Sequence, residues 1–501
     1  MKIYRRIPVL LLAILAPVMA MTIILVPLAK ATPSTDQNLF DNNSVTSCEV
    51  PSSYTTIQAA VDEPTCQVIN VAPGLFMENV VIGRDVIIQG AGIEATIVDG
   101  SANGVVFDVQ EGLVVTLIGM TIRNGRSLAE PYAEGGGIYV RASSLTVIES
   151  LLIANTADMG AGIYGHSSII SVQQSQVISN SAAYYGGGIG GFFGSVTTID
   201  RSMITSNTSG MFGGGFSGQY ATALASTIAD NSAQYGGGFY SMGGHITITQ
   251  SILSGNVATQ NGGGIFTSGF SMNWSSVVID GSQIVGNSGG FGGGIQGGGF
   301  SSVKISSSVI SNNSALYGGG IGVSGGALTV RNSTLSSNMA NEGGGIRNSD
   351  GAVTLSYSTL SGNSASDGGS IYNQGVMTAT TSIIAGDGST SCSGSIISQG
   401  YNIANDSSCN LTGPGDMNST DPQLGPLQDN GGPTLTHMPL PGSLAIDAGD
   451  PLNCPLTDQR GAPRPYDGNG DGLAVCDIGS VEYLSPVPED YYTYLPLVAK
   501  P

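Results

Sequence analysis

Between residues 135 and 380 the chain alternates apolar and polar side chains in short bursts. Leu145-Thr146-Val147-Ile148 is one, and His245-Ile246-Thr247-Ile248 is another. Apolar residues at every second place, rich in Val, Ile and Thr, predict strands with one face turned inward. No window carries an apolar stripe of helical length. Glycine triplets punctuate the bursts, starting at Gly135, Gly160, Gly186, Gly213, Gly236, Gly262, Gly292, Gly318, Gly343 and Gly368. Two are imperfect, Gly160-Ala161-Gly162 and Gly368-Gly369-Ser370. Successive starts lie 23 to 30 residues apart.

Two further positions keep register with the triplets. Ile or Phe follows each one: Ile138, Ile163, Ile189, Phe216, Phe239, Ile265, Ile295, Ile321, Ile346 and Ile371. Asn stands five or six residues before nine of them: Asn155, Asn180, Asn207, Asn231, Asn256, Asn287, Asn313, Asn338 and Asn363. A unit this short cannot bury its own apolar face, so units must stack, about 4.8 Å apart. Stacking predicts an inward Ile/Phe column and a ladder of Asn amides bonding coil to coil. It also predicts glycines that turn with positive φ and leave no Cβ to strike the next coil. The predicted fold class is all-β: a right-handed parallel β-helix, or solenoid, with a small disulfide-containing C-terminal module. Ten or more coils predict a rod on the order of 50–60 Å long. Upstream, residues 54–61 carry a short helical pattern suited to capping the first coil. Val68 to Val71, Val80 to Ile82, Val86 to Ile88, Thr96 to Val98, Val105 to Val109 and Val114 to Ile118 read as early strands.

Composition narrows the class. Gly numbers 76, and charged residues make up 10% of the chain, against about 25% in ordinary domains. Disorder is excluded by 41% hydrophobic content, and collagen by glycines that ignore a three-residue period. The first 31 residues hold four of the 15 basic residues and no acid. The remainder carries 11 basic against 35 acidic residues, a net −24. Such a surface repels phosphate backbones, so no nucleic-acid partner is expected.

Lys2, Arg5 and Arg6, an apolar run from Ile7 to Ala29 and the Ala29-Lys30-Ala31 site predict an export signal over 1–31. The run nearly matches the roughly 20 residues that span a bilayer, so an uncleaved anchor is the rival reading. Pro8, Pro17, Pro27 and the cleavage site favour removal. Membrane contact is expected only through this segment if it stays. The expected organisation continues with a linker over 32–53, the β-helix over 54–400, a C-terminal module over 401–483 and an apolar tail over 484–501. The tail's Tyr491-Tyr492-Thr493-Tyr494-Leu495-Pro496-Leu497-Val498 is too short to span a membrane.

Six cysteines fall in three sequence-local pairs. In an oxidising compartment the proximity of partners predicts Cys48–Cys66, Cys392–Cys409 and Cys454–Cys476, one of 15 possible pairings. Asp467-Gly468-Asn469-Gly470-Asp471-Gly472 matches the start of a calcium loop, with Leu473 able to add its carbonyl. Position 12 is Ile478, so the EF-hand pattern fails, and Asp477 or Glu482 would have to complete the shell. The alternative is a Gly/Asp turn pinned by Cys476. Calcium is therefore the one cofactor the sequence raises.

No catalytic residue is assigned. Asp200, Asp230 and Asp280 do not share neighbouring coils in register, and Asp200-Arg201 reads as a solvated pair. His166, His245 and His437 are scattered and read as surface or loop residues. No Gly-x-Ser-x-Gly elbow joins a strand to a helix.

Thr56-Ile57-Gln58-Ala59-Ala60-Val61, Val71-Ala72-Pro73-Gly74 and Glu78-Asn79-Val80 resemble the opening of right-handed β-helix proteins of the pectin-degrading type. The units typified by Asn231-Ser232-Ala233 and Gly236-Gly237-Gly238-Phe239 resemble repeats of bacterial polymorphic outer-membrane adhesins. The tail resembles the choice-of-anchor Q module, through Gly400-Tyr401-Asn402, Asp429-Asn430-Gly431-Gly432-Pro433-Thr434, Ala445-Ile446-Asp447-Ala448-Gly449, Asp458-Gln459-Arg460-Gly461 and Cys476-Asp477-Ile478-Gly479. These resemblances imply a secreted or cell-surface protein without enzymatic activity, adhesive or envelope-structural, with surface polysaccharide or envelope components as partners. The alternative is a polysaccharide lyase, hydrolase or carbohydrate-binding protein on the same fold. On that alternative Tyr139, Tyr164, Tyr240 and Tyr372, next to the inward column, would be exposed to stack sugars; the favoured reading of each is an ordinary outward strand residue.

Overall fold

The computed structural model describes residues 46–127, 132–271, 273–388 and 390–484. The expected export signal and the residues after 484 lie outside them. One regular coil shows the pattern. Its strands are Ile138–Arg141, Ser144–Ile148, Leu151–Ile153 and Thr156–Met159. Each pairs in parallel with its counterpart in the next coil: Ile163–His166, Ile169–Gln173, Gln176–Ile178 and Ser181–Tyr185. Fourteen such pairings carry one column from Ser47–Val50 to Ile397–Gly400. The fold is a right-handed parallel β-helix, with the hand that parallel crossovers take. At about 4.8 Å per coil the stack is roughly 65–70 Å long. It exceeds the sequence expectation because it starts earlier: Ser47–Val50, placed on sequence in the linker 32–53, already pairs with Val68–Val71.

The predicted columns are present. The Ile/Phe residues from Ile138 to Ile371 are all buried and register one above another. The nine Asn residues form an unbroken ladder, each Nδ2 donating to the next Oδ1 at 2.9–3.0 Å. The same Oδ1 also accepts the backbone N–H of the Asn below, as Asn256 does from Asn231. A second ladder was not foreseen. Backbone N–H groups donate to the next Ser Oγ from Ser150 through Ser175, Ser202, Ser226, Ser251, Ser282, Ser308, Ser333 and Ser358 to Ser382. A left-handed residue turns the chain before each ladder position, such as Gln174 (φ 47°) before Ser175 and Ser179 (φ 54°) before Asn180. Ser and Asn suit these corners because their short side chains satisfy backbone groups that a bend leaves unpaired.

The N-terminal end is covered. Ile57–Asp62 is helical, with Ile57, Ala60 and Val61 buried. The Gln58 amide acts as an extra strand segment, accepting from Val81 N–H at 2.7 Å and donating to Val81 C=O at 3.1 Å. This satisfies an edge that would otherwise invite another chain.

The chain then doubles back along the solenoid wall. The strands Leu424–Gln428 and Thr436–Pro439 pair antiparallel. Residues 434–480 bond to coils between 307 and 381: Thr434 to Ser307, Gln459 to Ser308 and Thr334, Asn332 to Thr457, Gly479 to Thr381, and Ser480 to Thr359. The outward column Val309, Thr334, Thr359, Ile383 is thereby buried, whereas Met203 in the same column is 44% exposed. The three disulfides join Cys48–Cys66, Cys392–Cys409 and Cys454–Cys476, as proximity predicted.

Candidate functional site

The acidic turn at 467–472 spends its carboxylates on its own backbone. Asp467 accepts from the N–H groups of Gly470, Asp471 and Gly472. Asn469 accepts from Asp471 N–H, and Asp471 from Leu473 N–H. The Asp447 carboxylate pins the turn from outside through Gly468 and Asn469 N–H. Asp477 is engaged elsewhere: its oxygens accept from Asp447 N–H and Tyr483 N–H. Among the described residues no three His, Cys, Asp or Glu side chains are grouped as a metal shell.

Acids and arginines do converge nearby. Arg464 pairs with Glu482 at 3.1 Å and Arg460 with Asp458 at 2.8 Å. Asp477 and Asp458 each hold a backbone N–H close to Glu482. Burial, with Glu482 adding to it, pushes the Asp477 carboxyl up to about 8. Burial also raises Glu482 and lowers Arg464. A protonated Asp477 leaves two carboxylates facing two guanidinium groups, which is the neutral balance a buried site demands. All of Asp458, Asp477 and Glu482 are buried, so this constellation offers no acid or base to a polymer.

Elsewhere the scattered candidates stay apart. Asp200 and Asp280 share one outward column, separated by Leu224 and Thr249. Asp200 and Arg201 form a surface pair at 2.7 Å. His437 departs from the expected surface role. It is buried, its Nδ1 lies 2.7 Å from Gly425 C=O and its Nε2 3.0 Å from the Ser336 hydroxyl. The carbonyl can only accept, so Nδ1 carries the proton and Nε2 accepts from Ser336. Burial lowers its pKa, and it serves as a bolt between hairpin and wall.

Of the four tyrosines beside the inward column, Tyr139 and Tyr372 are half-buried, and the other two are buried. Tyr164 is 1% and Tyr240 7% exposed. Each is covered by rings from neighbouring coils, Tyr164 by Phe192 at 5.9 Å and Tyr240 by Phe266 at 5.5 Å and Phe212 at 4.6 Å. The outward column reads Tyr164, Gly190, Ser217, Tyr240, Phe266. Two small residues interrupt a run of rings, and an open cleft of about 280 Å³ lies there, lined by Phe192, Phe193, Ser217, Gln219, Tyr240 and Met242. Phe193 stands at its mouth, 68% exposed, with His166 packed on its ring at 4.3 Å. Farther along, Trp274 and Phe300 form a second exposed aromatic pair at 5.8 Å. The sequence signal for both lay in the triplet spacing: the 27- and 30-residue intervals after Gly186 and Gly262 contain Phe192-Phe193 and Phe270 to Trp274.

A family model described as a right handed beta helix region matches residues 103–276. No curated protein matches the chain. A similar solved structure is the crystal structure of pectate lyase Pel9A. It has 15% sequence identity and a TM-score of 0.35, and the match covers 83% of this chain and 88% of that one.

Proposed function

We propose that the chain is an exported β-helix protein, extracellular or on the cell surface, that works as an adhesive or envelope-structural rod without catalysis. The observation that carries this reading is the placement of polar groups. The converging acids and arginines are sealed in the module–wall contact, while the charges on the outer surface fall in separate ion pairs such as Asp200–Arg201 and Asp99–Arg123. Three disulfides suit an oxidising compartment. The glycine-triplet units are taken as adhesin-type repeats and residues 401–483 as a choice-of-anchor Q module, with surface polysaccharide or envelope material as partners. The test has two arms. Intact cells are shaved with protease, which is expected to release fragments of the rod. Purified protein is incubated with acidic and neutral polysaccharides, which are expected to keep their length. Cleavage of any one, or protection of the rod inside intact cells, overturns the reading.

A further inference from the structure

We propose that the cleft between Phe193 and Tyr240 binds a neutral sugar ring. The inference rests on the reading of the chain as a non-catalytic surface protein and names the ligand that such a surface would hold.

The cleft is built by register. Its floor is the coil carrying Ser217 and Gln219; Phe192 and Phe193 belong to the coil below, Tyr240 and Met242 to the coil above. Walls two coils apart are separated by about 9.5 Å of backbone rise. That gap leaves room for one ring between the side chains that flank it. Around 280 Å³ of open space sits at the small end of ligand pockets, so it suits one residue of an oligosaccharide rather than a folded partner.

Three features of the lining select the chemistry. Ser217 is fully buried, yet its hydroxyl has no hydrogen-bond partner. An unpaired buried hydroxyl is costly, and a ligand hydroxyl arriving in the cleft would satisfy it. Gln219 adds a donor and an acceptor beside it. The exposed ring of Phe193 favours the C–H face of a sugar ring whose edges carry the hydroxyls. None of the six lining side chains is charged, and the chain's net charge is −20. A uronate would meet no cation there and a repulsive field.

Phe193 supplies the reason to read this as more than a packing gap. It holds the left-handed conformation (φ 54°) at a bend where other coils place Ala142, Ser167 and Gly243. A bulky residue is unfavourable in that conformation, and exposing its ring to water is unfavourable again. The bend forms without an aromatic in those coils, and the ring's packing on His166 still leaves it 68% exposed.

The test titrates the full chain calorimetrically with neutral hexasaccharides of glucose, mannose, galactose, xylose and N-acetylglucosamine, and with hexagalacturonate. At least one neutral series is expected to bind and the uronate not to. Phe193→Gly keeps the left-handed bend, so the variant folds; its affinity is expected to fall about tenfold or more. Ser217→Ala is expected to weaken binding while the melting temperature stays or rises, since a buried unpaired group is removed. Absence of neutral binding, equal binding of the uronate, or binding indifferent to both substitutions overturns the proposal. Such a failure leaves the non-catalytic reading intact, whereas shortening of a bound hexasaccharide would overturn that reading and leave the cleft's specificity standing.

Discussion

Thr334 and Gln459 lie 125 residues apart in sequence and 2.6 Å apart in space, the Thr334 hydroxyl donating to Gln459 Oε1. Gln459 Nε2 donates in turn to Ser308 C=O, the Thr434 hydroxyl and Leu435 C=O. One amide thus joins two coils, the hairpin and the returning chain, with both residues buried. Gln459→Leu keeps the volume and leaves those groups unpaired. The expected loss is about 2–4 kcal/mol. Limited proteolysis should then cut between 424 and 484 before it touches the coils. Gln459→Glu should be no milder, because the acceptor is kept at the expense of a buried charge.

In the Asn ladder position matters more than chemistry. Asn256 sits mid-ladder: it accepts from Asn231 Nδ2 and backbone N–H, and donates to Asn287 Oδ1 and Ile228 C=O. Asn256→Ala removes four hydrogen bonds from a buried column, although Asn231 Nδ2 keeps Ile204 C=O and Asn287 Oδ1 keeps the backbone N–H of residue 256, and it should cost about 3–5 kcal/mol. Asn363 is the last rung, accepting from Asn338 and donating to Leu335 C=O. Asn363→Ala strands fewer groups, so its melting temperature should fall less. Equal effects at the two sites would show that the ladder does not act through its buried hydrogen bonds.

Two glycines separate steric clash from backbone strain. A Cβ on Gly237 would lie 2.5 Å from Gly263 C=O in the next coil, although its φ is not in the left-handed region. Gly286 has φ 65° and nothing within 4 Å of the added carbon. Ala161 holds the same triplet place in another coil, so Gly237→Ala is accommodated by a local shift of its neighbours and is expected to lower the melting point by more than Gly286→Ala. Gly286→Ala meets only the left-handed penalty of about 1–2 kcal/mol and should fold with a modestly lower melting point.

What could be read from the sequence follows from repetition. The Ile/Phe and Asn columns were legible because stacking demands the same residue in every coil, and nine coils supplied it. The Ser ladder obeyed the same logic and was written as Ser five residues before each ladder Asn, from Ser150 before Asn155 to Ser358 before Asn363. It was missed because Ser is common throughout the chain. The Gln459–Thr334 contact occurs once, so no period announces it. The burial of Tyr164 and Tyr240 was not legible because their cover comes from Phe192, Phe212 and Phe266 in other coils, which alternation along one strand does not reveal. The cleft at Phe193 was marked only by a lengthened interval, since a binding surface departs from the repeat that builds its support.

Asp477 sets a pH dependence whose sign can be worked out. Its carboxyl is raised to about 8 in the folded protein, by burial first and by Glu482 second. Between the ordinary carboxylate value of 3.8 and 8, the folded state holds a proton that the unfolded state has released. Stability from this group is therefore complete below about pH 4 and is lost as pH rises through 8, at no more than about 1.4 kcal/mol per pH unit. Glu482, also raised, acts in the same direction. His437 acts in the opposite one: its lowered pKa removes stability as pH falls. Asp477→Asn cannot titrate, so the difference in melting temperature between the native chain and this variant isolates Asp477 from the other two. Measured from pH 5 to 9, that difference is expected to shift against the native chain as pH rises. A difference that stays constant across the range would show that Asp477 enters the folded state already ionised and that the arginines alone balance the buried charge.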